Sequence, residues 1–166
     1  MVIAFGLGSN LGNRLANLRE AAARLESALG PLVGKSDVFE TEPWGVRDQP
    51  WYLNACVSLE PEREIAPLEL LSLVKGMERS LGRVEGERWR ARKIDIDILL
   101  MGGTTFHSLE LEIPHVRLDE RLFVLAPLCQ IAPSWVHPVL RLPVAELEAR
   151  QKLLSSSSAL NRIVRL

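Results

Sequence analysis

The pattern of apolar and polar residues divides the first hundred positions into short strands and two amphipathic helices. Period-two alternation or a short apolar run predicts strands over residues 2–7, 33–42, 54–60 and 94–98. Apolar residues at helical spacing predict helices over residues 13–29 and 68–81. A glycine follows each of these segments, Gly30 and Gly82, and favours the end of a helix there.

The predicted order is strand, helix, strand, strand, helix, strand, which is typical of the split βαβ or ferredoxin-like arrangement. We therefore expect an α+β fold with a ferredoxin-like, antiparallel-rich sheet, a βαββαβ core, with helices packed on one face. A C-terminal extension follows this core. It is expected to contain a short extended stretch, the segment 113–128, a proline-punctuated turn region, a helix over 144–154 and a flexible break at the serine run 155–158.

Length and composition favour one globular domain over residues 1–166. With 47% apolar and 25% charged residues, the chain is unlike a disordered protein or a disulfide-dense mini-protein. A net charge of −1 gives no overall attraction to nucleic acid or to a membrane. Cys56 and Cys129 show no metal or redox spacing, so we expect reduced thiols. The absence of a signal-peptide pattern, and of an apolar stretch of about 18 residues, predicts a cytoplasmic location.

Asp95 and Asp97 carry the sharpest chemical signal. In an alternating strand both carboxylates point to the same face. Mg²⁺ is commonly held by one or two carboxylates together with substrate phosphates. The cations that precede the pair are Arg83, Arg88, Arg90, Arg92 and Lys93. Cations beside a carboxylate pair are typical of phosphoryl transfer, although a half-exposed strand with an acidic outer face and a solvated basic loop would give the same pattern.

Glycines and a histidine give weaker signals. The three glycines of GLGSNLGNR, residues 6–14, do not have the spacing of a nucleotide-binding loop. A tight strand-to-helix turn is therefore favoured over a phosphate cradle. His115 lies close to Arg117 and Arg121 in the sequence and could donate a hydrogen bond to a phosphate, although a loop histidine more often faces solvent.

Four blocks of the sequence together resemble one enzyme family of folate biosynthesis. They are GLGSNLGNR, ETEPWGVRDQPWYLNA, LGRVEGERWRARKIDIDILL and IPHVRLDERLFVLAPLCQIAP, and they cover most of residues 4–133. In these blocks the chain is similar to the 6-hydroxymethyl-7,8-dihydropterin pyrophosphokinases. The resemblance implies transfer of the β,γ-pyrophosphoryl unit of ATP to the pterin hydroxymethyl group, with release of AMP. It also implies a monomeric ferredoxin-like protein that uses two Mg²⁺ ions.

The resemblance implies roles for individual residues as well. Asp95 and Asp97 would hold both Mg²⁺ ions and, with Arg83 and Arg92, would form the catalytic group. The residues that would contact ATP are Glu78, Arg88, Trp89, Arg92, Ile98, His115 and Arg121. The residues that would contact the pterin are Thr41, Glu42, Pro43, Trp44, Tyr52, Asn54, Trp89 and Phe123. Flat aromatic side chains suit stacking on a pterin ring, and an amide such as Asn54 suits its polar edge.

Two loops are expected to surround the bound ligands. Residues 41–51 and 83–91 contain glycine and lack an apolar periodicity, so we expect both loops to be mobile in the free protein and to close over nucleotide and pterin. Within the second loop, residues 90–91 are arginine and alanine where many relatives carry glycine and proline. The closure of this loop is therefore expected to differ in detail.

The sequence also leaves two other functions open. A ferredoxin-like binding module, such as an RNA-binding or regulatory domain, could use the same aromatics and arginines for stacking and phosphate contact. Such a module would not need the carboxylate pair, and the near-neutral net charge is unfavourable for RNA binding. A simple kinase that transfers one phosphoryl group would use the same aspartates and arginines.

Overall fold

A computed structural model describes residues 1–43, 48–83, 91–155 and 160–166 of the chain. Within these residues the strands are β1 (Ile3–Ser9), β2 (Leu32–Lys35), β3 (Asp37–Thr41), β4 (Tyr52–Leu59), β5 (Asp95–Met101), β6 (Phe106–His107), β7 (Glu112–Ile113) and β8 (Leu160–Arg165). The helices are α1 (Arg14–Leu29), α2 (Pro67–Ser80), α3 (Leu122–Ile131) and α4 (Val144–Leu154). The fold is therefore mixed, with both helices and an extended sheet.

The main sheet is antiparallel and places β5, β1, β4, β3 and β8 side by side in that order. Strand β2 also pairs with β4, and β6 forms a separate two-stranded sheet with β7. Because β1 pairs with β4 on one side and with β5 on the other, alternate residues of three neighbouring strands share each face of the sheet.

Local chemistry explains where the first two helices begin and end. The side chain of Asn13 accepts a hydrogen bond from the Ala16 N–H at 3.1 Å and caps α1. Gly30 ends this helix with a φ of 127°, a conformation that favours glycine. Pro67 opens α2, where its missing N–H is not needed. The helices predicted over 13–29 and 68–81 are thus confirmed to within one residue at each end.

The strand predicted over residues 33–42 is in fact two strands, β2 and β3, separated by Ser36. The Ser36 hydroxyl oxygen accepts the Cys56 N–H at 2.8 Å, while the Ser36 N–H donates to the Cys56 carbonyl at 3.0 Å. A side-chain oxygen therefore replaces a main-chain acceptor at this point, and the regular ladder stops there. The other predicted strands are confirmed as β1, β4 and β5 with shifted ends.

Helices cover the two faces of the sheet to different extents. Helices α1 and α2 pack on the face that presents Ile3, Phe5 and Leu7 of β1, so the two predicted helices share one face as expected. Helix α3 packs on the opposite face, against residues that include Ala4 and Leu100, and α4 packs on α3. The part of this second face beyond α3 carries the polar cavity described below.

Two elements near the C-terminus do not follow from the sequence pattern. Helix α3 is buried through most of its length, and its apolar residues show no helical period. Strand β8 adds an edge to the sheet by pairing with β3. The helix predicted over 144–154 is confirmed as α4, whereas the flexible break expected at the serine run falls largely on residues 156–159, outside the described residues. None of the helices in the described part of the chain is long and apolar enough to cross a membrane.

Candidate active site

A cavity of about 470 Å³ opens on the sheet face beside α3. Gly6 and Gly8 of β1 lie on its floor. In the pairing of β1 with β5, Gly6 is opposite Asp97 and Gly8 is opposite Asp95. A Cβ atom at position 8 would lie 3.2 Å from Asn54 Oδ1 and 3.9 Å from Asp95 Cβ. Glycine therefore leaves the space between these polar side chains open.

The turn that was expected for residues 6–14 is only partly present. Gly6 and Gly8 are part of β1, and Gly12 alone of the three adopts a positive φ, of 66°. The turn interpretation is confirmed for Gly12 and is wrong for the other two. Gly6 and Gly8 lie in an extended strand, which needs no left-handed backbone. What matters at these two positions is that no side chain fills the space above the cavity floor.

Asp95 and Asp97 both face the cavity, as the alternation of β5 predicts. Two arginines hold Asp95. Arg83 Nη1 donates to its Oδ1 at 2.6 Å, and Arg92 Nη1 donates to its Oδ2 at 3.1 Å. Charge-assisted bonds of this kind fix the orientation of the carboxylate. The predicted catalytic residues Arg83, Arg92, Asp95 and Asp97 therefore lie together in one cavity.

Asp97 faces a third arginine and a histidine. Arg121 Nη1 lies 3.5 Å from Asp97 Oδ2, and His115 Nε2 lies 4.0 Å from the same oxygen. Burial lowers the pKa of His115 to about 4, and the positive charge of Arg121 adds to this effect, so the ring is neutral at pH 7. Because His115 Nδ1 accepts the Arg117 N–H at 3.1 Å, the ring proton belongs on Nε2, which faces the cavity.

The two carboxylates have different proton affinities. Burial, together with the neighbouring charge of Asp95, raises the pKa of Asp97 to about 7. Burial also acts on Asp95, but Arg92 and Arg83 hold the pKa of Asp95 below its ordinary value. Asp95 is thus ionised across the physiological range, whereas Asp97 gains a proton in mildly acidic solution.

Glu78 lies beneath the cavity, with 1% of its surface exposed. Its Oε1 accepts hydrogen bonds from Arg83 Nη1 and, at 2.8 Å, from the Ile96 N–H, while its Oε2 lies 3.2 Å from Lys75 Nζ. Glu78 therefore anchors Arg83 and the first residues of β5. Neither Glu78 nor Ile98, which packs in the core, is among the described residues that line the cavity. Their expected nucleotide contacts stay predictions.

The same cavity is lined by most of the described residues that were predicted to contact the pterin. They are Thr41, Glu42, Tyr52, Asn54 and Phe123. Asn54 Nδ2 donates to Thr41 Oγ1 at 2.7 Å, which fixes the orientation of the amide. The Arg121 guanidinium carbon lies 5.7 Å from the centre of the Phe123 ring, within the range of a cation–π contact. Pro43 is described but does not line the cavity.

The remaining predicted site residues lie outside the described residues. They are Trp44 in the first loop and Arg88 and Trp89 in the second. Of the loops 41–51 and 83–91, which were expected to close over ligand, residues 44–47 and 84–90 also lie outside the described residues. These expectations therefore stay predictions.

Several lining residues were not assigned a role from the sequence: Leu7, Ala55, Cys56, Lys75, Val116, Arg117 and Val124. Lys75 could have been found, since it lies one helical turn before Glu78 on the same face of α2. Cys56 could not, because its pairing partner in β1 is distant in sequence. Burial, with the charge of Asp97, raises the pKa of the Cys56 thiol, so this thiol is no nucleophile at neutral pH.

Comparisons with known proteins relate the chain to one enzyme family. The sequence model of the family described as 7,8-dihydro-6-hydroxymethylpterin-pyrophosphokinase (HPPK) matches residues 4–133. A 2-amino-4-hydroxy-6-hydroxymethyldihydropteridine pyrophosphokinase of Methylorubrum extorquens is 42% identical over 132 residues, which cover 79% of this chain and 82% of that protein. A protein of the same name from Aquifex aeolicus is 36% identical over 151 residues, which cover 91% of this chain and 92% of the relative.

A solved structure shows that the fold extends beyond the close relatives. The crystal structure of wild-type Plasmodium falciparum HPPK-DHPS with pteroate superposes with a TM-score of 0.76 at 17% identity. The match covers 93% of this chain and 43% of that chain, so this chain spans less than half of the Plasmodium protein. The family match over residues 4–133, the identity to full-length relatives and the cavity with its paired aspartates lead to one conclusion: the chain belongs to the 7,8-dihydro-6-hydroxymethylpterin-pyrophosphokinase family.

Proposed function

We propose that this protein transfers the β,γ-pyrophosphoryl unit of ATP to the hydroxymethyl group of 6-hydroxymethyl-7,8-dihydropterin and releases AMP, a step of folate biosynthesis. One observation carries the proposal. Asp95 and Asp97 lie side by side in a cavity that is also lined by several arginines, an amide and an aromatic ring. The names of the relatives from Methylorubrum and Aquifex support the same reaction.

The transfer makes one bond and breaks one bond at the β-phosphorus of ATP. The hydroxymethyl oxygen bonds to this phosphorus and loses its proton to solvent. The bond between the β-phosphorus and the oxygen that bridges the α- and β-phosphates breaks, and that oxygen leaves with AMP. Negative charge grows on the leaving oxygen, so fixed positive charge around the phosphates lowers the barrier.

Four described arginines line the cavity, Arg83, Arg92, Arg117 and Arg121, and we propose that Arg83, Arg92 and Arg121 supply this charge. A guanidinium group binds two phosphate oxygens at once, which fixes the orientation of the phosphate as well as its charge. We propose that Arg83 and Arg92 exchange their bonds with Asp95 for bonds to ATP. His115 donates its Nε2–H to a phosphate oxygen, because its Nδ1 is already an acceptor. Arg88 is proposed to join them.

Asp95 and Asp97 would hold Mg²⁺, and two ions are proposed. The donor set fits, since Mg²⁺ prefers carboxylate oxygens. The raised pKa of Asp97 supports the fit as well, because a divalent cation would compensate two adjacent negative charges. Among the described residues no group of three or more His, Cys, Asp or Glu could hold a metal ion alone, so phosphate oxygens and water would complete the ligands. When bound, Mg²⁺ neutralises charge on the phosphates.

The pterin is proposed to bind at the end of the cavity formed by β3, β4 and α3. The Phe123 ring offers a flat face for stacking, and Asn54, whose orientation is fixed by Thr41, offers an amide to the polar edge of the ring. Tyr52 and Glu42 line the same cavity. Trp44 and Trp89 are proposed to add further aromatic contacts.

The strand order supports a ferredoxin-like core that runs from β1 to β5, with β2 and β3 together in the position of one strand. The chain from β6 onward is then a C-terminal extension of this core. It contributes His115, Arg121 and Phe123 to the cavity, so we propose that residues 1–166 act as one domain. We propose that this domain works as a monomer.

Product analysis tests the proposed reaction. The protein is incubated with ATP, Mg²⁺ and 6-hydroxymethyl-7,8-dihydropterin, and the nucleotides are separated by chromatography. We expect one AMP for each pterin consumed, no AMP without pterin, and neither product with the Asp97→Asn variant. Formation of ADP in place of AMP would show transfer of a single phosphoryl group and contradict the proposal.

A further inference from the structure

Two polar side chains hold the chain just before it enters β5. Ser9, the last residue of β1, is fully buried, and its hydroxyl donates to the Lys93 carbonyl at 2.6 Å. Asn17 Nδ2, near the start of α1, donates to the same carbonyl at 3.0 Å and lies 3.1 Å from Ser9 Oγ and 2.9 Å from the Leu11 carbonyl. Ser9 and Asn17 therefore form a clamp on the Lys93 carbonyl.

The clamp lies where the regular ladder between β1 and β5 ends. The last pair of that ladder is Gly8 with Asp95. Before Asp95 the chain bends at Lys93 and is not part of a strand. Asn10 adds to the clamp there, because its Oδ1 accepts the Arg92 N–H at 2.7 Å and its N–H donates to the Arg92 carbonyl at 3.2 Å. Side chains thus replace the ladder as the support of residues 92–93.

The bend at Lys93 decides where the Arg92 side chain lies. In an extended strand, residues three positions apart point to opposite faces and lie roughly 10 Å apart. Arg92 Nη1 nevertheless donates to Asp95 Oδ2 at 3.1 Å, and both residues line the cavity. This contact needs a chain that is not extended between the two residues. The clamp holds the chain in that bent form.

Support from the backbone matters most when the substrates are bound. In the free protein the Arg92 guanidinium donates to Asp95 and to the Tyr52 hydroxyl. In the proposed complex Asp95 would hold Mg²⁺, so one of these side-chain partners would be lost. The place of the guanidinium would then depend more on the backbone that carries it. A displacement of about 1 Å in a reacting site can lower a rate by about a hundredfold.

We propose that Ser9 and Asn17 are positioning residues for the transfer step, which hold the bend at Lys93 and so direct Arg92 to the phosphates. The inference rests on the proposed function. Neither Ser9 nor Asn17 is among the described residues that line the cavity, and we assign neither a contact with substrate. Their effect on the reaction passes through Arg92.

A double-mutant cycle tests whether the effect passes through Arg92. The variant Ser9→Ala/Asn17→Ala removes both side-chain donors to the Lys93 carbonyl. Its kcat for AMP formation should fall at least about tenfold, with less than about threefold change in the KM of ATP, because the contact acts in the transition state. In the Arg92→Ala background the same two substitutions should lower kcat less than about twofold. Asn17→Ala alone, at a partly exposed position, should show the same pattern to a smaller extent.

Amide hydrogen exchange, followed by NMR, tests the clamp without turnover. The Arg92 N–H is bonded to Asn10 and reports local opening of the bend. In Ser9→Ala/Asn17→Ala it should exchange at least about tenfold faster than in the unaltered protein. The Phe5 amide, in the centre of β1, should keep its exchange rate and shows that the sheet is intact.

Asn13→Ala is the matched control from the same turn. The Asn13 side chain caps α1 by accepting the Ala16 N–H at 3.1 Å, and its described hydrogen bond does not reach residues 91–95. Loss of this cap should make the protein less resistant to urea. Both kcat and the exchange of the Arg92 amide should stay those of the unaltered protein.

The inference is overturned if Ser9→Ala/Asn17→Ala keeps the full kcat, or if it loses as much kcat without Arg92 as with it. Unchanged exchange of the Arg92 amide also overturns it, as does an equal loss of kcat in Asn13→Ala. Failure of the proposed function looks different, because the unaltered protein would then form no AMP, whatever the exchange rate of the Arg92 amide.

Discussion

Arg83 Nη1 donates a hydrogen bond of 2.6 Å to Asp95 Oδ1, so a proposed phosphate ligand and a proposed metal ligand are bound to each other in the free protein. This contact keeps both charges compensated in a partly buried site. In the proposed complex with Mg²⁺ and ATP, Asp95 would hold the metal in place of the arginine, and Arg83 would be available to phosphate. Glu78, which also accepts a hydrogen bond from Arg83, would keep the guanidinium close to the site in that complex.

Substitution of either aspartate by asparagine should abolish nearly all turnover while the fold stays intact. Asp95→Asn and Asp97→Asn each remove one proposed Mg²⁺ ligand, and both should weaken Mg²⁺-dependent binding of ATP because metal and triphosphate share the site. Steady-state kinetics and circular dichroism measure the two effects. Activity within a few-fold of the unaltered protein would contradict the metal assignment.

Magnesium binding should become tighter as pH rises through about 7, because Asp97 must lose its proton before it binds the metal. Because the pKa of Asp97 is raised in the folded state, protonation of Asp97 stabilises the metal-free protein. This contribution to the free energy of unfolding is greatest below the ordinary aspartate pKa and is lost as pH rises through about 7. Calorimetric titration of Mg²⁺ at roughly one pH unit below and above this value checks the first effect. Asp97→Asn, the control, should lose most of this pH dependence.

Glu78→Gln should act through Arg83 and should destabilise the protein by about 1 to 3 kcal/mol, because a buried charge-assisted bond is lost. Urea unfolding measures this cost.

Kinetics of Glu78→Gln, Arg83→Ala and the double variant measure the coupling between Glu78 and Arg83. We expect Glu78→Gln to lower kcat in the unaltered background and to have little further effect when Arg83 is absent. Equal effects in both backgrounds would mean that Glu78 contacts the nucleotide directly.

Arg92→Ala should cost far more turnover than Arg90→Ala. The Arg92 guanidinium lies in the cavity beside Asp95, and one lost contact in the transition state is worth about 2 to 4 kcal/mol. Arg90 has no role implied by the family resemblance and serves as the control from the same basic stretch. Similar small losses in kcat/KM for both variants would indicate that the stretch is merely solvated.

Local sequence pattern is enough to predict that the paired aspartates and the neighbouring arginines lie together. The alternation of β5 fixes the common direction of Asp95 and Asp97, because period two is a property of any strand. Arg83 and Arg92 are close to this strand in sequence, so their nearness to Asp95 follows from a short connection. The family resemblance, which the comparisons confirm, supplied the substrates.

Long-range contacts explain what the sequence could not predict. Gly6 and Gly8 suggested a turn, because nothing local shows that Asp97 and Asp95 lie across the sheet from them. For the same reason the sequence does not show that Asn10 forms hydrogen bonds with Pro50 and Arg92, which are 40 and 82 positions away. Helix α3 lacks a helical period because it is buried on nearly every side.

Phosphorus NMR of the product tests the central claim most directly. After complete reaction with ATP, a pyrophosphoryl group on the pterin gives two phosphorus resonances coupled to each other, and the released nucleotide gives the single resonance of AMP. We predict this result, with equal amounts of the two products. A pterin that carries one uncoupled phosphorus, together with the two coupled resonances of ADP, would contradict the account.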